Sequence, residues 1–285
     1  MKGKVDIMAN AKQMRIGIVG YGTMGQAIGD RIKEQYCVIV FDKDKSKTKE
    51  ASGVLVAPSV EELVKDVVVL ILAVKPQDFD AVLTELRRHL GNVLLISIAA
   101  GVTTKRIEHM LKNARVVRVM PNIGAKIGES VTCLCKGQGA SDTDLALSEE
   151  LWYRMGVTKI IPEELFDAAT AISGSGPAYI FDFIQVNDLN PHAIPEHAKH
   201  DMIKRLKDAA EAVGFDSETA AFLAVNTAHA AFELMKKTQS SPLELRDQVT
   251  SKGGTTEAAL AVIHKGGSWK EAAEAALKRA KELSR

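Results

Sequence analysis

The sequence predicts an α/β chain in two parts, a doubly wound parallel sheet first and an all-helical domain behind it. Three observations carry this. Between Met14 and Pro162, short runs rich in Val and Ile alternate with amphipathic stretches, as strands buried on both faces alternate with the helices that cover them. A G-x-G-x-x-G turn stands between the first such run and the first helical pattern. From Glu163 onward Ala becomes frequent, β-branched runs disappear and helical spacing continues to Arg285.

Taken in order, residues 1–13 are polar and unlike a signal segment, and read as a flexible tail. Ile16, Ile18 and Val19 then form the first strand, and Gly20, Tyr21, Gly22, Thr23, Met24 and Gly25 form the turn. Ala27, Ile28 and Ile32 recur at helical spacing behind it. In such a unit the first glycine permits the tight turn, the second lets backbone approach a pyrophosphate, and the third lets helix pack on strand. The helix N-terminus adds free N–H donors and a positive dipole end. Residues 14–163 therefore read as a dinucleotide-binding domain of the Rossmann type.

The second strand, Cys37–Phe41, ends at Asp42, about 20 residues past the glycines, where an acidic side chain accepts ribose hydroxyls and favours NAD. Lys43, Lys45, Lys47 and Lys49 follow at once and suit a 2′-phosphate or a solvated turn equally well, so the cofactor reads as NADP or NAD. Further strands are predicted over residues 67–74, 93–98 and 116–120, with helices over 61–65, 77–90 and 103–111 between them. Two of these strands run into Lys75-Pro76 and Pro121-Asn122. Those dipeptides fall at carboxyl strand ends, where ligands of open α/β sheets bind.

The helical domain, residues 164–285, opens with an anomaly. Ile172-Ser173-Gly174-Ser175-Gly176-Pro177 interrupts a helical pattern, and two glycines and a proline cost several kcal/mol in a helix interior, so a break or bend is expected there. Ser175 is placed to cap the helix after it. Residues 187–200, with Pro191 and Pro195, read as a loop inserted between helices. Helices are expected over 204–213 and 217–237, with Asp216 or Ser217 as N-cap. Thr250-Ser251-Lys252-Gly253-Gly254-Thr255-Thr256 precedes another helix and reads either as a second anion-receiving turn or as simple capping. An Ala-rich amphipathic helix over 269–283 closes the chain.

Composition narrows the partners. Across 285 residues, 37 basic and 36 acidic side chains leave a net charge of +1, which offers no footprint for nucleic acid or a membrane surface. No apolar run approaches the roughly 20 residues of a spanning helix. Three cysteines, Cys37, Cys133 and Cys135, make no disulfide framework, and the last two sit in a strand-like alternation rather than a ligand pattern. A reducing, cytoplasmic setting follows. His192, His197 and His200 lack the partners of a metal site.

Read together and in this order, IGIVGYGTMG, AVKPQ, RVMPN, AISGSGPAYIF and DQVTSKGGTT resemble pyrroline-5-carboxylate reductase, from Met14 to Leu283. The resemblance implies reduction of 1-pyrroline-5-carboxylate to L-proline by NADPH or NADH. It also implies a homodimer interlocked through the helical domain, often built into larger rings, with the active site between one subunit's cofactor domain and its partner's helical domain. By motif position it implies that Gly20, Gly22, Thr23, Met24 and Gly25 hold the pyrophosphate. Ala73, Val74, Lys75, Pro76, Met120, Pro121 and Asn122 would line the nicotinamide half. Ser175, Gly176 and Pro177 would shape the substrate pocket. Ser251, Gly254, Thr255 and Thr256 would receive the substrate, with Thr256 as the polar contact to the imine.

Two departures stand out: Lys252 occupies the family's usual proline position, and an insertion falls near residues 185–203. Two rival readings are weaker. A β-hydroxyacid-dehydrogenase-type reductase would need a lysine that residues 168–179 do not contain, and a dinucleotide-binding scaffold would need the site to have been lost.

Overall fold

The computed structural model describes residues 14–284, and of Pro76 the backbone only. The expected tail, residues 1–13, lies outside the described residues. These residues fall into two compact units: residues 14–119 with Leu134–Arg154, and Met120–Cys133 with residues 155–284.

In the first unit, β1 (Arg15–Val19) buries Ile16, Ile18 and Val19. It leads through the glycine turn into α1 (Thr23–Ile32), and β2 (Cys37–Phe41) follows. After a short β3 (Leu55–Val56), α2 (Val60–Lys65) begins at Ser59, whose hydroxyl accepts the Glu62 N–H. Then come β4 (Val69–Leu72), α3 (Pro76–Leu86), β5 (Leu94–Ser97), α4 (Thr104–Met110) and β6 (Arg115–Met120). β7 (Ser130–Lys136), α5 (Asp142–Tyr153) and β8 (Gly156–Ile160) complete the strand-bearing part.

The sheet order is β3-β2-β1-β4-β5-β6-β7-β8, and the ladders from β3 to β6 are all parallel. The chain leaves β1 toward β2 on one side and returns to β4 on the other. That reversal opens a crevice beyond the carboxyl ends of β1 and β4, where such sheets take their ligands. One face of the sheet is sealed by Leu63 of α2, Phe79, Leu83 and Leu86 of α3 and Ile107 of α4, packed on Leu70, Leu72, Leu95 and Val116. Each fully buried Leu or Ile contributes roughly 1.5–3 kcal/mol, so these few contacts hold the crevice floor firmly.

The second unit is helical after β8: α6 (Phe166–Ala169), a π-turn over Thr170–Gly174, α7 (Gly176–Val186), α8 (Glu196–Ala212), α9 (Ser217–Thr238), α10 (Pro242–Val249), α11 (Thr255–Ile263) and α12 (Trp269–Leu283). The break expected within Ile172–Pro177 overlaps this π-turn, which starts two residues earlier and ends at Gly174. Its wider loop admits the Ser175 N–H to the Thr170 carbonyl at 2.9 Å, an i to i−5 bond. Trp269 of α12 packs edge-on against Tyr179 and Phe183 of α7, with ring centroids 5.8 and 6.2 Å away.

Two local expectations need correction. The loop expected over residues 187–200 ends at Pro195, and residues 196–203, part of the expected insertion, form the first turns of α8. Ala198, Met202, Leu206 and Ala209 bury one face of that helix, and Pro195 opens it at a position that requires no N–H. Ser175 precedes α7 but caps nothing through its side chain, because its own backbone is already helical at φ −91°, ψ −25°. Asp216 does cap α9, accepting the Thr219 N–H at 2.9 Å.

Candidate active site

Two groups of residues carry chemistry, one in each unit. In the first, a cavity of about 560 Å³ lies at the carboxyl ends of β1, β2 and β4. Gly20, Gly22, Thr23, Met24, Asp42, Ala73, Val74 and Lys75 line it, as do Phe41, Lys43, Lys47, Gln77, Asp78 and Val82. Its volume falls within the range of ordinary ligand sites.

The three glycines divide the labour. Gly20 adopts φ +94°, and a Cβ there would stand 2.6 Å from the Ala73 carbonyl oxygen, so only glycine lets the tips of β1 and β4 close together. At Gly22 an added Cβ would meet nothing within 4 Å, which leaves main chain open to the cavity. At Gly25 a Cβ would collide with the Gly20 carbonyl, and that collision is what the third glycine removes. Gly22 offers α1 no side-chain cap, so the first N–H groups of the helix are available to an anion. The residues present therefore fit a dinucleotide pyrophosphate.

Asp42 is buried, 7 % exposed, and its carboxylate is occupied. Oδ2 accepts the Tyr21 N–H at 2.8 Å and Oδ1 the Asp44 N–H at 2.9 Å, while Lys47 Nζ lies 3.4 Å from Oδ2. Lys43 pairs with Asp78 at 2.5 Å across the mouth. Phe41, Gln77, Asp78 and Val82 were missed from sequence, although Gln77 and Asp78 occupy the first turn of α3 directly behind Lys75-Pro76.

The second group gathers at the head of α11. Thr255 and Thr256 open that helix, yet its N-cap is Gly254 and no side chain caps it. Both hydroxyls turn instead to Ser175: Thr255 Oγ1 lies 3.0 Å from Ser175 Oγ, and Thr256 Oγ1 donates to it at 3.1 Å. Ser175 is 1 % exposed and Thr256 4 %, so these two are sheltered from water, while Thr255 is half-buried. Beneath it, Tyr179 Oη donates to the Ala171 carbonyl, and burial pushes the Tyr179 hydroxyl above its ordinary pKa against the pull of Ser175. Gly176 and Pro177 begin α7 beside Ser175 and are buried.

The turn ahead of α11 closes through the Gly254 N–H to the Ser251 carbonyl at 2.9 Å. Gly253, its third residue, has φ +70°, as a type II turn requires there, and Lys252 holds the second position without entering the left-handed region. Gly253 is bonded on both sides: its N–H to Glu257 at 2.7 Å, and its carbonyl from Arg279 Nε of α12 at 2.7 Å. Ser251 and Lys252 are exposed.

Met120, Pro121 and Asn122 also belong to the second unit. The Asn122 side chain is committed to protein, donating to the Ser173 carbonyl and accepting the Gly124 and Val131 N–H groups. Met120 reaches toward Gly174 of the π-turn. Among the described residues, no group of three or more His, Cys, Asp and Glu is placed to hold a metal ion.

Known proteins match both units. Residues 200–283 match the family described as pyrroline-5-carboxylate reductase dimerisation, and residues 15–101 the family described as NADP oxidoreductase coenzyme F420-dependent. The pyrroline-5-carboxylate reductase of Arabidopsis thaliana is 34 % identical over 96 % of this chain and 97 % of its own length. That of Aquifex aeolicus is 36 % identical over 85 % of this chain and 86 % of its own. Among solved structures, the Plasmodium falciparum pyrroline carboxylate reductase with NADP bound superposes with a TM-score of 0.63 at 27 % identity, covering 96 % of this chain and 99 % of that one. The Coxiella burnetii enzyme does so with 0.62 at 31 %, covering 95 % and 98 %. Identity of 34 % over 96 % of its length with one such enzyme, and 36 % over 85 % with another, makes this chain a member of the pyrroline-5-carboxylate reductase family.

Proposed function

We propose that this chain reduces the C=N bond of 1-pyrroline-5-carboxylate to L-proline, with a bound nicotinamide dinucleotide, NADPH in preference to NADH, supplying the hydride. The observation that carries the reading is the Ser175–Thr255–Thr256 cluster, where two threonines that open a helix leave capping to glycine and turn to a buried serine.

Gly20, Gly22, Thr23, Met24 and Gly25 hold the pyrophosphate, Ala73, Val74 and Lys75 line the cavity wall, and Pro76, Met120, Pro121 and Asn122 are assigned to the nicotinamide as the resemblance implies. Ser175, Gly176 and Pro177 shape the substrate pocket. Ser251, Gly254 and Thr255 receive the substrate carboxylate, aided by the N-terminal end of α11. Thr256 orients the ring nitrogen. Its hydroxyl both accepts and donates, so it can face a protonated imine before reduction and a neutral amine after it. A ring already electrophilic at carbon asks little more of the protein than placement, and holding two reactants in attack geometry is worth several kcal/mol. No histidine is assigned a part in the chemical step.

The preference for NADPH is supported by Asp42, whose two oxygens already accept the Tyr21 and Asp44 N–H groups, and by Lys47, whose ammonium stands at the cavity wall 3.4 Å from that carboxylate, within the neighbourhood of a 2′-phosphate. Cys37, Cys133 and Cys135 form no disulfide, which suits a cytoplasmic protein, and no helix among the described residues is long and apolar enough to cross a membrane. The match of residues 200–283 to a dimerisation family supports a homodimer through the second unit.

The test is oxidation of NADPH and NADH by purified protein, dependent on 1-pyrroline-5-carboxylate. Turnover is expected with both, faster with NADPH, and Thr256→Ala lowers kcat/KM about 10- to 100-fold, the worth of a hydrogen bond to a charged group, with NADPH affinity unchanged. Absence of turnover with either cofactor would overturn the assignment, and undiminished turnover in Thr256→Ala would remove that residue from the site.

A further inference from the structure

Seven residues beyond Ser175, within α7, lies Asp182, 1 % exposed and outside the mechanism above. Its Oδ1 accepts two bonds at 2.9 Å, from Arg246 Nη1 and from His264 Nε2. Arg246 sits in the last turn of α10 and His264 directly follows α11. These are the helices on either side of the substrate turn, residues 250–256. One buried oxygen therefore holds the helix that leads into the turn and the helix that leads out of it.

We propose that Asp182 is a positioning residue for substrate: through Arg246 and His264 it fixes α10 and α11 against α7 and so sets the placement of Thr255 and Thr256. The proposal rests on the assignment of the Ser175–Thr255–Thr256 cluster as the substrate site.

Helix geometry shows why a lock so far from the cluster matters. Ser175 meets Thr255 and Thr256 where α7 and α11 begin, and Asp182 meets His264 where α11 has ended, so the two helices run side by side in the same direction. Ser175 and Asp182 are two turns apart, about 10 Å along α7, and Thr256 and His264 about 12 Å along α11. A single contact would leave α11 free to swivel about it. Two contacts at opposite ends fix both its slide and its rotation, and the hydroxyls at its head move only if the pair at its foot moves.

The entry to the turn is tied in the same way. The Arg246 carbonyl accepts both the N–H and the Oγ1 of Thr250 at 3.0 and 2.7 Å, so the residue that reaches Asp182 with its side chain holds the start of the turn with its backbone. A well-packed apolar residue would serve stability as well as a buried ion pair does, so what the carboxylate adds is a fixed arrangement of its partners.

The experiment uses the full chain with Asp182→Leu, Asp182→Asn and His264→Ala. Amide hydrogen exchange of ligand-free protein and steady-state kinetics are both measured. In Asp182→Leu, exchange at residues 250–256 rises about tenfold and KM for 1-pyrroline-5-carboxylate rises about tenfold, while kcat falls less than about threefold and NADPH affinity is unchanged. Asp182→Asn keeps an acceptor oxygen and returns KM to within about twofold of the parent, whereas His264→Ala, which removes a half-exposed side chain, raises KM about threefold. A folded Asp182→Leu with parental exchange at 250–256, or an Asn variant no better than Leu, would overturn the proposal. Should Asp182→Leu not fold, parental exchange in His264→Ala overturns it alone. An inactive parent protein would refute the substrate assignment, while the exchange data would still judge the clamp.

Discussion

Lys47 stands at the cavity wall with its ammonium 3.4 Å from a carboxylate that two main-chain N–H groups also hold. An ammonium carries three protons, and the Asp42 contact uses only part of that capacity. A 2′-phosphate arriving at the ribose meets a positive group already steered into place, whereas a bare 2′-hydroxyl gains nothing from that charge and shares Asp42 with two main-chain N–H groups. Lys47→Ala is therefore expected to raise KM for NADPH about tenfold and change KM for NADH less than about twofold, a charge-assisted bond being lost in one case only. Equal changes for the two cofactors would return the discrimination to Asp42. At this scale spacing located Asp42 but not its state, because the donors that saturate it come from the glycine turn and from the start of the next loop.

Among the elements, the turn over residues 251–254 shows how a local sequence can be compensated from a distance. The second position of a type II turn suits proline, whose fixed φ removes conformations from the unfolded chain, and Lys252 forgoes that. Glu257 and Arg279 hold the Gly253 peptide from both sides in its place. Lys252→Pro is expected to stabilise the protein by about 0.4–1 kcal/mol, seen as a small rise in Tm, with KM unchanged. A fall in Tm would show that the turn needs the freedom of lysine. The turn was legible as an anion-receiving one from its hydroxyls and glycines, but its braces were not, since Arg279 lies 26 residues downstream. Helix α8 is the opposite case. Ala198, Met202 and Leu206 spell its buried face at helical spacing, but two prolines and three histidines over residues 191–200 give the stretch the look of a loop.

For the molecule as a whole, the doubly wound sheet and the helical domain were plain from composition and period, because burial on both faces forces long apolar strands and burial on one forces helical spacing. The short β3 and β8 were not, since both are partly or fully exposed and leave little hydrophobic trace. Val186, Val225, Leu243 and Leu283 of α7, α9, α10 and α12 remain exposed on the second unit, a load of apolar surface that a partner copy would cover. Sedimentation equilibrium is expected to give at least two chains per particle, and Val225→Glu to shift it toward one; a monomeric parent would refute the dimer. The three thiols carry a last, practical consequence. Cys133 and Cys135 are buried within β7, and lack of water pushes the Cys133 thiol up to about 12, beyond the reach of alkylating reagents at neutral pH. Cys37 alone is partly accessible, at the end of β2 away from Asp42, so a single maleimide dye can be attached there and left to report on the nucleotide crevice without entering it.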